Sequence, residues 1–236
     1  MSKSRSDVLS NPVLRINGIL KNVYLWMAAG LSLTGLAAYF VGTTPAIYKA
    51  IYSSGFGVFI LFAVEIGIVF YLTSRLDTMS TGAAIGSFLA YSVVNGVMLS
   101  YIFLIYTGTV IAQAFFVSAG MFALMSIYGM VTKKNLNRLG TYLIMGLFGL
   151  IIATFVSMFF ATDTMFFIIS IVGVIIFLGL TAYDTQKISN LANAYGDSMD
   201  EDTYVKVSIL GALTLYLDFI NIFLYLLRLF SRSDRS

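Results

Sequence analysis

Seven long apolar runs divide this chain, and the short stretches between them carry most of its charge. The runs cover about 22–41, 56–73, 82–106, 110–131, 139–160, 165–190 and 207–230. Each holds about 20 residues or slightly more, enough to cross roughly 30 Å of hydrocarbon as an α-helix. A helix satisfies its backbone N–H and C=O groups internally, as hydrocarbon requires. The pattern therefore predicts an all-α polytopic membrane protein, a seven-transmembrane-helix bundle forming one domain over 1–236, with a polar tail at 1–21. Gly42 to Ser54, with Pro45, reads as a loop. Gly82 and Gly86 open the third run with GxxxG spacing, which lets two helix backbones approach closely.

Composition sharpens this reading. Of 236 residues, 59% are hydrophobic and 11% charged, where a soluble domain carries about 25% charged residues. Mean hydropathy is +0.91. Cysteine and histidine are both absent. That excludes disulfides, thiol nucleophiles, histidine-ligated haem, ordinary zinc sites and a serine protease with a histidine base. The net charge of +3 is small and sits in clusters beside the spans, where topology and anionic lipid headgroups explain it better than nucleic acid does. Met1 to Lys21 is polar and the first run is long enough to stay as an anchor, so no cleavable signal is expected.

Lysine and arginine set the expected orientation. With the amino terminus inside and seven crossings, Lys3, Arg5, Arg15, Lys21, Arg75, Lys133, Lys134, Arg138, Lys187 and Lys206 fall on the inner side. Lys49, Arg228, Arg232 and Arg235 fall outside. The excess favours a cytoplasmic amino terminus. The tail arginines prefer the other side, which a last segment that enters and returns would satisfy. Its length of apolar sequence favours a full crossing.

Three acids lie inside the runs, Glu65, Asp184 and Asp218, and the only basic residues there, Lys187 and Arg228, stand within three residues of a run's end. An ionisable residue at membrane depth is costly and marks function by default. Asp184 and Asp218 are 34 positions apart, and Glu201, in the acidic stretch Asp197, Asp200, Glu201, Asp202, lies midway between them. Antiparallel helices turning at that stretch bring both aspartates to one height. Phe177, Thr181 and Asp184 share one helical face, as do Asp218, Asn221 and Tyr225. The two meet only if the first helix continues past Lys187, which otherwise offers Asp184 an ion pair at the interface. Two adjoining carboxyls would share a proton near neutral pH and attract a cation on losing it. The acidic stretch reads either as a solvated loop or as a divalent-binding loop, although EF-hand spacing is missing.

The segments Gly179-Leu180-Thr181-Ala182-Tyr183-Asp184-Thr185-Gln186, Leu215-Tyr216-Leu217-Asp218-Phe219-Ile220-Asn221-Ile222-Phe223 and Val64-Glu65-Ile66-Gly67 together resemble the Bax inhibitor-1 family, in a bacterial member. The resemblance implies a bundle with the last helix central and a pH-sensitive calcium leak channel gated by protonation of Asp184 and Asp218, with Tyr183 and Asn221 supporting the pair. It implies a latch at Arg75 and leaves Glu65 as a further intramembrane acid. Alkaline closure and acidic opening come with it. Calcium ions and protons are then cargo on a pathway past Asp184 and Asp218. No cofactor, nucleic acid or enzymatic activity is expected, and the membrane is the bacterial inner membrane.

Two other classes stay open. One is a regulatory protein that binds a membrane partner such as a protease. The other is an intramembrane aspartyl protease, which also pairs a Tyr-Asp motif with a second aspartate. Asp218 does not follow Gly-x-Gly, however, and no Pro-Ala-Leu motif is present. A retinal protein needs a lysine within the seventh run, and none is there.

Overall fold

The computed structural model describes residues 12–53, 55–76, 78–157, 159–160, 162–195 and 199–233. Among these the chain forms nine helices and no strand. They are α1 (Pro12–Thr43), α2 (Pro45–Tyr52), α3 (Gly55–Arg75), α4 (Thr81–Leu99), α5 (Ile102–Ile105), α6 (Gly108–Val131), α7 (Asn137–Ser157), α8 (Asp163–Tyr195) and α9 (Glu201–Ser233). Among the described residues seven segments are long and apolar enough to cross a membrane: Gly18–Thr43, Phe56–Arg75, Thr81–Ile105, Gly108–Val131, Asn137–Ser157, Asp163–Ala194 and Glu201–Ser231. Residues 1–11, with Lys3 and Arg5, lie outside the described residues, as do Asp197 and Arg235.

Helix outruns apolar sequence at several ends. The polar tail read at 1–21 is already helical from Pro12, and the expected loop 42–54 contains α2. Proline explains the latter. Pro45 stands at the first position of α2, where a missing N–H costs nothing, and the preceding Thr44 is extended at φ −109°, ψ 96°. The two last helices have 33 residues each, about 50 Å long, so their polar ends project beyond a 20-residue crossing. α9 has no break at which a re-entrant segment would turn back.

The chain divides into two compact units, one of residues 1–107 and 191–216, the other of residues 108–190 and 217–236. In the first, α1 packs chiefly on α4, and α3 packs on α4 and α2. Small residues set the α1–α4 approach: a Cβ on Gly96 would strike the backbone of Thr34, and one on Gly30 the ring of Phe88. The buried face of α4 runs through Ala84, Phe88, Tyr91, Ser92, Asn95, Gly96 and Leu99. Gly82 and Gly86 fall off that stripe and would meet nothing within 4 Å. Neither glycine makes a close approach to another helix among the described residues. Both lie on the exposed side of the helix, while Gly96 makes the close approach.

The break between α4 and α5 frees backbone carbonyls within an apolar span. Tyr52 of α2 supplies the donor, its hydroxyl 2.9 Å from both Val97 O and Met98 O. Ser100 Oγ also donates to Val97 O at 2.7 Å. Irregular backbone at such depth is tolerated when side chains satisfy it in this way.

In the second unit α8 is gripped from several sides. Gly129 of α6 lies against the backbone of Ala182, Gly140 of α7 under the ring of Tyr183, and Gly179 of α8 against Leu143. Gly173 of α8 lies under the ring of Tyr225 of α9.

Candidate functional site

The site is built on the facing stretches of α8 and α9. Phe177 and Tyr225 stack with ring centroids 6.0 Å apart and planes at 30°. Asp184 lies seven residues after Phe177, and Asp218 seven before Tyr225. Seven residues are two helical turns, so antiparallel helices that touch at the rings present both aspartates on the same inner face. α8 continues past Lys187 to Tyr195, as that meeting needs.

The carboxyl groups are close enough for the charge of Asp184 to act on Asp218. Asp218 is 4% exposed, and its Oδ2 is buried with no hydrogen-bond partner among the described residues. Asp184 is half-buried, and the ammonium of Lys187, one turn on, acts on it as well. Asp184 thus feels the charge of an exposed base and acts on a buried acid. Phe219 fixes the rotation of α9 beside Asp218, its ring edge-on to Phe115 and to Phe122 of α6 at 5.7 Å each.

The neighbours expected to support the pair are engaged elsewhere. Tyr183 lays its ring against Gly140 of α7, and Asn221 Nδ2 donates to Leu217 O of its own helix at 2.8 Å. Thr181 Oγ1 donates to Phe177 O at 2.8 Å. Thr185 is fully buried, and its hydroxyl has no partner among the described residues. Arg75 ends α3 with its side chain exposed, and its carbonyl accepts from the amides of Thr78 and Met79 at 3.0 and 2.9 Å. Glu65, in the first unit, is half-buried on α3.

Gln186 is a residue the sequence reading passed over. Its Oε1 accepts from Leu136 N at 2.8 Å and its Nε2 donates to Lys134 O at 2.9 Å, clamping the α6–α7 connection to α8. An amide inside the Asp184 motif, two residues on and facing elsewhere, was the available clue.

No three acidic side chains converge on a metal site among the described residues. Asp200 Oδ1 accepts from Thr203 N at 2.9 Å and caps α9. Thr81 Oγ1 donates to Asp202 Oδ1 at 2.9 Å, tying the first turn of α9 to the start of α4. Asp200 and Asp202 thus build helix ends.

Comparison with known proteins follows the same lines. A family model described as "Inhibitor of apoptosis-promoting Bax1" matches residues 16–235. Inner membrane protein YbhL of Escherichia coli K12 is 39% identical over 96% of each chain. An uncharacterized protein of Borreliella burgdorferi is 41% identical over 92% of each. Uncharacterized protein RP147 of Rickettsia prowazekii is 42% identical over 87% of this chain and 86% of its own.

Proposed function

Because the chain belongs to the Bax inhibitor-1 family of integral membrane proteins, we propose that it is a pH-sensitive calcium leak channel, gated by protons on Asp184 and Asp218. The observation that carries this reading is the unpartnered Oδ2 of Asp218, buried within reach of the charge of Asp184. A buried carboxyl oxygen without a donor calls for a proton or a cation. Two carboxylates together neutralise one calcium ion.

In this reading Arg75 is the latch, the pathway closes in alkali and opens in acid, and the amino terminus is cytoplasmic. The name of the E. coli relative supports placing the chain in a bacterial inner membrane. The protein acts without catalysis: a protease pair would need the flanking motifs that Asp218 lacks. Binding a membrane partner is the other role the family likeness supports, and it predicts crosslinks that survive neutralising both aspartates.

The test is calcium flux into dye-loaded liposomes containing the purified protein, across a pH series. The expected result is flux that depends on pH in the wild type and loses that dependence in Asp218→Asn and Asp184→Asn. Flux indifferent to both pH and Asp218→Asn sinks the reading.

A further inference from the structure

The first unit carries an open groove between α1, α4 and α9, with a volume of about 530 Å³. Asn22, Trp26 and Ala29 of α1, Thr81 and Ile85 of α4, and Val205 of α9 line it. The groove is polar at one end and apolar beyond it. Thr81 is the first residue of its span, and its Oγ1 donates to Oδ1 of Asp202, the second residue of the last span, at 2.9 Å. Two residues on, Tyr204 OH accepts from Asn22 Nδ2 at 3.4 Å. The first turn of α9 therefore holds Asn22 and Thr81 at one end. From there α1 reaches Ala29 seven residues later, about 10 Å along its axis, and α4 reaches Ile85 four residues later, about 6 Å along.

The polar end presents charge of both signs. Asp202 is exposed, and one hydrogen bond from Thr81 leaves its carboxylate with acceptor sites to spare. Lys21, also exposed, precedes Asn22 on α1. Trp26, one turn inward from Asn22, is half-buried, the placing of an amphipathic ring at headgroup level. A zwitterionic headgroup matches this end, and a hydrocarbon chain matches the rest. A soluble amine would leave the apolar length unfilled, and an acidic lipid would bring its negative charge to Asp202.

We propose that the groove binds a phospholipid with an ethanolamine-type headgroup, a primary ammonium joined to a phosphate. The ammonium donates to Asp202, the phosphate lies toward Lys21 and the second N–H of Asn22, and an acyl chain runs past Trp26 toward Ala29 and Ile85. A choline headgroup fits less well, because its quaternary nitrogen has no N–H to give the carboxylate. The site lies wholly in the first unit and does not rest on the reading of Asp184 and Asp218.

The experiment is native mass spectrometry of the full chain in detergent, with added dioleoyl lipids that differ only in headgroup: ethanolamine, choline or glycerol. The ethanolamine lipid should be retained several-fold better than the other two. Asp202→Asn keeps an oxygen for Thr81 but no charge, and should erase that preference, a loss of up to roughly fivefold for one exposed charge pair. Ile85→Trp and Ala29→Trp fill the groove from different helices, and each should lower retention of all three lipids several-fold with the unfolding temperature kept. Equal retention of the three headgroups overturns the proposal, as does a preference that survives Asp202→Asn, or retention untouched by both tryptophans. Phosphoethanolamine, the headgroup without its chains, assigns the groove to a soluble ligand if it competes as well as the lipid. A dimer lost with either tryptophan assigns it to a second copy. Either result overturns the proposal as well.

Discussion

Phe177 and Tyr225 stack 6.0 Å apart, and that contact sets the register in which Asp184 and Asp218 share a height. The Tyr225 ring also fills the space over Gly173, so both helices are held by one aromatic plug. Tyr225→Ala should cost about 3 kcal/mol, the range for emptying a packed aromatic site. Tyr225→Phe keeps the stack and should cost less than about 1 kcal/mol. Thermal unfolding in detergent checks both. A disulfide probe joining cysteines placed at 184 and 218 should form readily in the parent background and slowly with Tyr225→Ala.

Gln186 holds the α6–α7 connection through two backbone bonds, from Leu136 N and to Lys134 O. Gln186→Leu leaves both backbone groups without that partner and should destabilise the protein by about 2 kcal/mol. Gln186→Glu can still accept from Leu136 but cannot donate to Lys134, so its loss should be smaller. Hydrogen exchange at the Leu136 amide distinguishes them: fast in the leucine variant, largely protected in the glutamate variant.

These two contacts show what the sequence makes legible and what it hides. The spans could be read because hydrocarbon forces each apolar run into a helix. The meeting of α8 and α9 could be read because spacing turns them back at the acidic stretch, and Phe177 does stack on Tyr225. Helix ends were harder, since α8 and α9 continue through polar residues held by caps and by contacts such as Thr81 with Asp202. Partners across helices were hidden altogether. Asn95 announces itself as an amide at membrane depth, but only the fold assigns it to Tyr216.

Glycine spacing shows the same limit in reverse. Gly82 and Gly86 carry the familiar motif and approach no other helix among the described residues, whereas Gly129, which has no GxxxG partner on its helix, lies against the backbone of Ala182. Gly129→Val forces α6 away from α8 and should cost about 3 kcal/mol, since backbone cannot yield as a side chain can. Gly82→Val should stay within about 0.5 kcal/mol. Unfolding midpoints of the two variants, measured side by side in one detergent, test the contrast. Equal losses would contradict the packing of α6 on α8.

The last expectation concerns pH at the start of α9. Hydrogen bonds from the Thr203 side chain and backbone hold the Asp200 carboxyl below its ordinary value. The folded state therefore prefers the ionised form. Its contribution is fully present above the unfolded value of about 4 and is lost as pH falls through the lower folded value. Asp200→Asn should keep the cap and remove its pH dependence, because asparagine caps a helix as well as aspartate does. Asp200→Ala should remove the cap at every pH. Exchange at the Thr203 amide reads all three cases: protected above pH 5 and weakening in stronger acid for the parent, protected without that trend for asparagine, and several-fold faster throughout for alanine.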